Sequence, residues 1–101
     1  MKILALDIGA GTQDILLFDS TNTIENSIKM VMPSPTVIAA TRIREATRAG
    51  LPLALTGVNM GGGPVTGAMQ GHIQSGLAVY ATVEAATTFD DDIEMVRAMG
   101  V

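Results

Sequence analysis

Two aspartates flank a short glycine turn near the start of the chain, and their spacing suits metal and phosphate chemistry. Asp7 lies at the end of one apolar run and Asp14 at the start of the next, with the sequence Gly-Ala-Gly-Thr at residues 9–12 between them. The two glycines can adopt positive φ and expose backbone N–H groups, and Thr12 adds a hydroxyl donor. Such donors suit anionic oxygens, and a carboxylate at a strand end suits a hydrated Mg²⁺ ion. The pattern predicts a cradle for a metal-bound phosphate group.

The two apolar runs predict adjacent strands, because the six residues between Ile8 and Ile15 leave no room for a helix. A tight hairpin turn in which Asp7 is hydrogen-bonded to loop amides is the structural alternative to phosphate binding. A dinucleotide-binding fingerprint is excluded on two grounds. Asp14 stands where the third glycine would be, and the turn leads into a strand.

The stretch DIGAGTQDILLFD, residues 7–19, resembles the phosphate-binding hairpin of the actin, sugar-kinase and Hsp70-chaperone superfamily. In that family the aspartate acts through Mg²⁺ and its waters, and the Gly/Thr loop holds nucleotide phosphates. The resemblance therefore implies ATP and Mg²⁺ as ligands, with Asp7 as the metal-facing acid. The phosphate-loop residues that it implies are Gly9, Gly11, Thr12 and Gln13. Many kinases of the family have a lysine near positions 13 and 14, and this chain has none there.

A second glycine-rich stretch follows the apolar run at residues 53–55, with the sequence TGVNMGGGP. Ligands of open α/β sheets bind beyond the carboxyl ends of the strands, so we expect this loop beside residues 9–12. It resembles the sugar-kinase loop T-G-x-x-M-G-G, which borders the active cleft, and this resemblance implies that Gly61 and Gly62 also bind the cofactor. The alternative is a flexible connector.

The composition narrows the class of partner. With ten acidic and six basic residues the chain carries a net charge of −4, which disfavours nucleic acid as a partner. No apolar run reaches the roughly 18 residues that span a membrane, so we expect a soluble, cytoplasmic protein. The absence of cysteine excludes disulfides, thiolate metal sites and iron–sulfur sites from this chain.

The order of the predicted elements is β-β-β-α-β-α-β-α. A third strand begins near Thr23, a helix spans residues 35–49 between Pro35 and Gly50, and further helices begin at Pro64 and after Asp92. This order resembles the ribonuclease H-like fold, which implies one five-stranded mixed sheet with helices on both faces. The 101 residues suffice for one domain. We expect that domain, residues 1–101, to be a single actin-like ATPase lobe and the N-terminal part of a two-lobe protein.

Three other groups of residues have a structural interpretation. His72 is the only histidine and has no acid near it in sequence, which favours a surface or packing role. Asp90, Asp91 and Asp92 precede a helix and complement its dipole, which we favour over a metal site. Arg42, Arg44 and Arg48 are typical of a solvated helix face.

The motif at residues 7–14, the TGVNMGGGP stretch and the C-terminal sequence YATVEAATTFDDDIEMVRAMGV together resemble a prokaryotic family of uncharacterised actin-fold proteins. Some members are labelled pyruvate formate-lyase activating enzyme-like. That label implies a radical enzyme with a cysteine-bound iron–sulfur cluster. A chain without cysteine cannot support such chemistry.

Three functions remain open. The leading one is a nucleotide-binding lobe of an actin-like ATPase or kinase, whose further partner is the missing second lobe or another copy of the chain. We expect such a lobe alone to bind ATP at about millimolar concentration and not to turn it over, because exposed contacts leave little net free energy. The alternatives are a ribonuclease H-like nuclease or resolvase, which needs further acids beside Asp7, and a non-catalytic interaction domain.

Overall fold

The computed structural model of the protein describes residues 1–58 and 63–101. These residues form two compact units, Met1–Ser34 and Pro35–Val101. Five strands and four α-helices are present in the described ranges.

The first unit is an antiparallel meander. Its strands are β1 (Lys2–Ile8), β2 (Thr12–Asp19) and β3 (Ile28–Pro33), in the spatial order β1-β2-β3. Strand β3 begins later than its alternating sequence predicts, because Ile24–Asn26 form a turn of 3₁₀ helix. In that turn the Ser27 amide donates to the Ile24 carbonyl at 3.1 Å. Local hydrogen bonding at this point outweighs the strand preference of the side chains.

The side chains of this sheet stay accessible. None of residues 1–33 is buried, and the relative exposure is 60% for Leu4, 55% for Leu6 and 67% for Val31. A three-stranded sheet usually gains its stability from an apolar face packed against another element. The meander has no α-helix packed against it within its own unit. The buried apolar residues of the described ranges belong to the second unit.

The second unit consists of four helices and a small parallel sheet. The helices are α1 (Pro35–Arg48), α2 (Pro64–Gln74), α3 (Val83–Ala86) and α4 (Ile93–Ala98), and the strands are β4 (Leu53–Leu55) and β5 (Val79–Ala81). Helix α1 ends as predicted, with Gly50 in the left-handed region at φ 66°. A buried cluster joins α1 to α2, and partly buried side chains from β4 and from Phe89 cover it. The four buried members are Ala40, Ile43, Val65 and Ala68.

The prediction of one five-stranded mixed sheet with helices on both faces is wrong. The described strands form a three-stranded antiparallel sheet and a separate two-stranded parallel sheet, in which Leu53 pairs with Val79. The first three strands pair through short connections, which cost little loop-closure entropy, whereas β4 and β5 have only three residues each. The mixed α/β class and the order β-β-β-α-β-α-β are confirmed, and the final helical segment forms two helices.

The helices of the described residues are short. The longest is α1, with 14 residues, and no described helix has both the length and the hydropathy needed to cross a membrane.

Candidate phosphate-binding hairpin

Strands β1 and β2 are joined by a two-residue connection, Ala10-Gly11. The Gly9 amide donates to the Thr12 carbonyl at 2.9 Å, and Ile8 pairs with Gln13 in the ladder that follows. Two-residue hairpins usually place at least one central residue at positive φ. Here neither central residue has positive φ. The predicted hairpin is therefore present, but it forms without a left-handed residue.

The two glycines of the turn place no side chain next to the backbone. Neither Gly9 nor Gly11 adopts positive φ, so the possibility raised by the sequence is not realised at either position. A Cβ added at Gly11 would meet no atom within 4 Å, and one added at Gly9 would meet the Thr12 carbonyl oxygen at 3.4 Å, an ordinary contact. Neither glycine is thus required by dihedral angle or by local packing. Glycine at such a position leaves room for another group to approach the main chain.

The connection offers hydrogen-bond donors that are not used locally. Among the described residues, no carbonyl accepts from the amides of Ala10 and Gly11, and no group bonds to the Thr12 hydroxyl. The Gly11 carbonyl accepts from the Ser34 amide at 3.1 Å, which ties the turn to the end of β3. Two amides and a hydroxyl on a fixed turn are suitable donors for an anionic oxygen.

Asp7 and Asp14 face each other across β1 and β2. The register pairs them directly, and both side chains are exposed. The hydrogen bond that closes the turn places this pair, two residues further along the ladder, in the hydrogen-bonded class, with Cα atoms about 5.5 Å apart. Side chains of directly opposed residues project from the same face, and like charges in that position repel each other. A cation between the two carboxylates would relieve the repulsion.

The residues fit a hydrated magnesium ion better than a protein-only metal cage. No group of three or more Asp, Glu, His or Cys side chains that could hold a metal is found in residues 1–58 and 63–101. Mg²⁺ usually keeps several waters and is held by one or two carboxylates together with substrate phosphates. Asp7 and Asp14 would supply the carboxylates, and the ion would supply positive charge next to the donors of the turn.

Asp14 is a candidate ligand that the sequence analysis counted for its spacing but to which it gave no role of its own. The sequence indicated Asp7 alone as the metal-facing acid. The information was present, because a hairpin with a two-residue connection pairs residue 9 with 12 and therefore residue 7 with 14. This register places both acids on the same face of the hairpin.

Lys29 lies on the same face as the two acids. It pairs with Leu16, and Asp14 pairs with Val31, so Lys29 is a diagonal neighbour of Asp14 in the ladder. A long side chain can reach across such a diagonal. The sequence lacks a lysine beside the turn, and the meander brings one to this face from β3. Lys29 forms no ion pair with any described residue.

Gln13, a predicted phosphate-loop residue, is used within the sheet. Its side-chain Nε2 donates to the Pro33 carbonyl at 3.2 Å, which fastens β2 to the end of β3. Because side chains alternate along a strand, Gln13 lies on the opposite face from Asp14. A ligand role for Gln13 stays a prediction.

Gly61 and Gly62, the predicted residues of the second loop, lie outside the described residues. Their neighbour Gly63 is described and has φ 55°, directly before Pro64 at the first position of α2. A side chain at Gly63 would be strained by this dihedral angle alone. The predicted ligand role of Gly61 and Gly62 stays a prediction.

Two of the three acids near the C-terminus, Asp90 and Asp92, accept backbone amides at the start of α4. Asp92 is the N-cap of α4 and accepts from the Glu94 amide at 2.9 Å, and Asp90 accepts from the Asp92 amide at 2.9 Å. These contacts satisfy amides that the helix and its preceding turn leave open. These contacts confirm the structural interpretation for Asp90 and Asp92.

Comparison with known proteins gives one family. A family model described as "Putative pyruvate format-lyase activating enzyme (DUF1786)" matches residues 60–101, which is less than half of the chain. No curated protein and no solved structure matches. The predicted resemblance to a family with this label is confirmed over the C-terminal segment alone. The matched segment does not include the hairpin, and the actin-superfamily assignment stays a prediction.

Proposed function

We propose that the hairpin of β1 and β2 binds the phosphates of a Mg²⁺-bound nucleotide, with ATP as the expected ligand. The observation that supports this function most is the juxtaposition of an opposed pair of carboxylates with a turn whose amides are unused. Asp7 and Asp14 pair in the ladder, and Ala10 and Gly11, three residues beyond Asp7 and before Asp14 respectively, form the connection. An anion alone would be repelled by the acids, and a cation alone would not use the amides. A metal bound to phosphate satisfies both.

Each group has a distinct part in this proposal. Asp7 and Asp14 hold the hydrated metal ion and thereby orient the phosphate that it carries. The amides of Ala10 and Gly11 and the Thr12 hydroxyl donate to phosphate oxygens, which they can do without moving. Lys29 adds positive charge on the same face and limits the repulsion that the two acids exert on the nucleotide.

The proposed cradle is open, and this limits what the chain can do alone. The residues that would bind phosphate are exposed, so their interactions with a charged ligand are screened by water. No group on the hairpin is arranged to position a nucleophile, and positioning contributes a large part of catalysis. We propose a lobe of an actin-like ATPase or kinase that binds ATP with a Kd of about 1 mM and does not hydrolyse it by itself.

A radical activating enzyme is not proposed. The printed description of the matching family names a pyruvate formate-lyase activating enzyme, but that chemistry needs cysteine thiolates to hold an iron–sulfur cluster. The chain contains no cysteine and so supplies no such ligand.

A nuclease or resolvase is the second candidate, because Asp7 and Asp14 are two acids on one face and such enzymes use converging acids to hold metal ions. The net charge of −4 disfavours binding to a polyanion. A non-catalytic interaction domain would bind neither nucleotide nor DNA at this face.

One titration separates the three candidates. ATP, ADP and a short DNA duplex are added to the ¹⁵N-labelled chain with and without Mg²⁺, and the amide shifts of Ala10 and Gly11 are followed by NMR. The proposal predicts Mg²⁺-dependent shifts with ATP and none with the duplex. Shifts with duplex alone would favour the nuclease, and unchanged amides with every ligand would refute nucleotide binding at the hairpin.

A further inference from the structure

A groove in the second unit is independent of the hairpin. It has a volume of about 520 Å³ and runs between helix α1 and strand β4. This volume is within the range of cavities that hold small ligands. Its walls are mainly apolar, and the lining includes Arg42, Leu53, Ala54, Leu55, Thr56 and Phe89.

Within the described residues of the second unit, strand β4 has a backbone edge without a partner strand, and Ala54 on that edge lines the groove. The Leu53 amide donates to the Ala78 carbonyl at 2.9 Å, and the Leu55 carbonyl accepts from the Thr82 amide at 3.0 Å. Leu53 and Leu55 therefore bond towards β5. Because the direction of backbone groups alternates along a strand, the N–H and C=O of Ala54 point away from β5. Ala54 is exposed and lines the groove, and neither of these two groups is hydrogen-bonded to a described residue of the second unit.

The groove combines apolar walls with one cation. Leu53, Leu55 and Phe89 are partly buried and pack against the core of the unit. Arg42 is exposed on α1 and forms no ion pair with a described residue, whereas Arg97 is bonded to Glu94 at 3.0 Å. Thr56 and Thr88 also line the groove. No acidic side chain is among the groove's lining residues, so the charge of Arg42 has no local counterpart there.

We propose that this groove binds the free C-terminal end of an extended apolar peptide. The peptide backbone pairs with the N–H and C=O of Ala54, its apolar side chains contact the walls, and its carboxylate pairs with the Arg42 guanidinium. Addition of a strand to an open edge and capture of a terminal carboxylate are both recurrent modes of peptide recognition. Arg suits the carboxylate, because its planar donors match two oxygens at once.

The unpaired backbone groups of Ala54 favour an extended peptide over a helical one. An extended segment can use the Ala54 edge, but a helix keeps its own backbone groups bonded internally. The edge has only three residues, so the contact is small, and a Kd of about 0.1 mM is expected.

The test uses the full chain and the peptide acetyl-Thr-Val-Thr-Val in two forms. One form has a free C-terminal carboxylate and the other a C-terminal amide, and binding is measured by calorimetry and by ¹⁵N NMR. We expect the free acid to bind about tenfold more tightly than the amide. Arg42→Gln should abolish this preference. Arg44→Gln is the matched control, because Arg44 is an exposed arginine of the same helix that does not line the groove.

Methylation of the peptide backbone tests strand pairing without altering the protein. A methyl on one amide nitrogen should prevent binding, and a methyl on the next should be tolerated, because only alternate amides face the partner strand. Equal binding of acid and amide by the parent chain would overturn the proposal, as would tolerance of both methyl groups. Octanoate binding as tightly as the free peptide would also overturn it, since the groove would then recognise a small amphipathic acid.

Discussion

Thr47 and His72 are hydrogen-bonded across helices α1 and α2, with 2.8 Å between the Thr47 Oγ1 and the His72 Nδ1. The Thr47 hydroxyl already donates its proton to the Ile43 carbonyl at 2.8 Å. The imidazole must therefore donate, which places the proton on Nδ1. The His72 side chain is fully buried, and its Nε2 has no partner among the described residues. The packing role predicted for this histidine is confirmed, and the alternative of a surface position is wrong.

Replacing Thr47 with Val should destabilise the second unit. The substitution keeps the shape of the side chain but leaves the buried Nδ1–H without an acceptor, at a cost of about 1–3 kcal/mol in the free energy of unfolding. Thr41→Val is the matched control, because the Thr41 hydroxyl also donates to a carbonyl four residues back, at 3.0 Å, but is exposed. Urea denaturation followed by circular dichroism measures both. Equal losses in the two variants would contradict the importance of the His72 contact.

Gly11→Ala separates ligand binding from folding. The new methyl group meets no atom within 4 Å and requires no left-handed dihedral angle, so stability should be unchanged or slightly higher. Because the methyl group stands where phosphate oxygens would approach, ATP binding should weaken by about tenfold. NMR titration and thermal denaturation measure the two effects.

Gly50→Ala is the converse control for that experiment. Gly50 has φ 66°, so alanine there should lower the free energy of unfolding by about 1 kcal/mol without affecting nucleotide binding. The account of the turn fails if Gly11→Ala unfolds the chain or binds ATP as well as the parent.

Much of the local structure follows from the sequence. The hairpin, helix α1 and the cap of α4 depend on neighbouring residues: the short turn at residues 9–12, Pro35 and Gly50 around the helix, and Asp92 before Ile93. Each of these features satisfies its backbone groups within a few residues, so composition and spacing are informative. The candidate site is largely predictable for the same reason, since it is made by one hairpin.

The remaining features depend on distant contacts. Alternation of apolar residues after Thr23 predicted a strand, but Ile24–Asn26 form a 3₁₀ turn. The hydrophobic periodicity of β4 and β5 does not determine which strand each of them pairs with. The sequence therefore does not predict that the strands divide into two sheets. His72 is buried, and its hydrogen-bond partner Thr47 lies 25 positions earlier in the chain. Lys29 lies on the same face as the acids because of the β2–β3 register.

The pKa of Asp19 should lie below the ordinary value of an aspartate. Its carboxylate accepts from the Thr21 amide at 3.0 Å and from the Thr21 hydroxyl at 2.8 Å, and these bonds lower its pKa, the amide bond most. A carboxyl group whose pKa is lowered by folding stabilises the folded state above its unfolded pKa. That contribution is lost as the pH falls through the folded pKa.

Thr21→Val tests this assignment. It removes the hydroxyl bond and keeps the amide bond, so the pKa of Asp19 should rise only part of the way to its ordinary value. NMR titration of the Asp19 carboxyl carbon measures it. A pKa unchanged by the substitution would show that the hydroxyl bond is not formed in solution.

The chain should self-associate in solution. None of residues 1–33 is buried, and an accessible apolar sheet of this size is a typical association surface. We expect light scattering to give a mass above 10.5 kDa that increases with concentration. Ile28→Lys places a charge on a side chain that is 59% exposed and lies on the face opposite to Asp7 and Asp14, so it should lower that mass. A constant monomer mass in the parent chain would refute the prediction.

Phosphate binding through a metal is the central claim, and the Mg²⁺ dependence of ATP binding in Asp7→Asn tests it most directly. The carboxamide keeps the shape of the side chain but removes the charge that would hold the ion. Asp14→Asn should behave in the same way, and Asp90→Asn is the control for a change of net charge. With ATP binding measured by NMR at matched ionic strength, we predict that Mg²⁺ strengthens binding to the parent and to Asp90→Asn, but not to Asp7→Asn or Asp14→Asn. An equal Mg²⁺ effect in all four proteins would contradict the assignment of the hairpin as a metal-phosphate site.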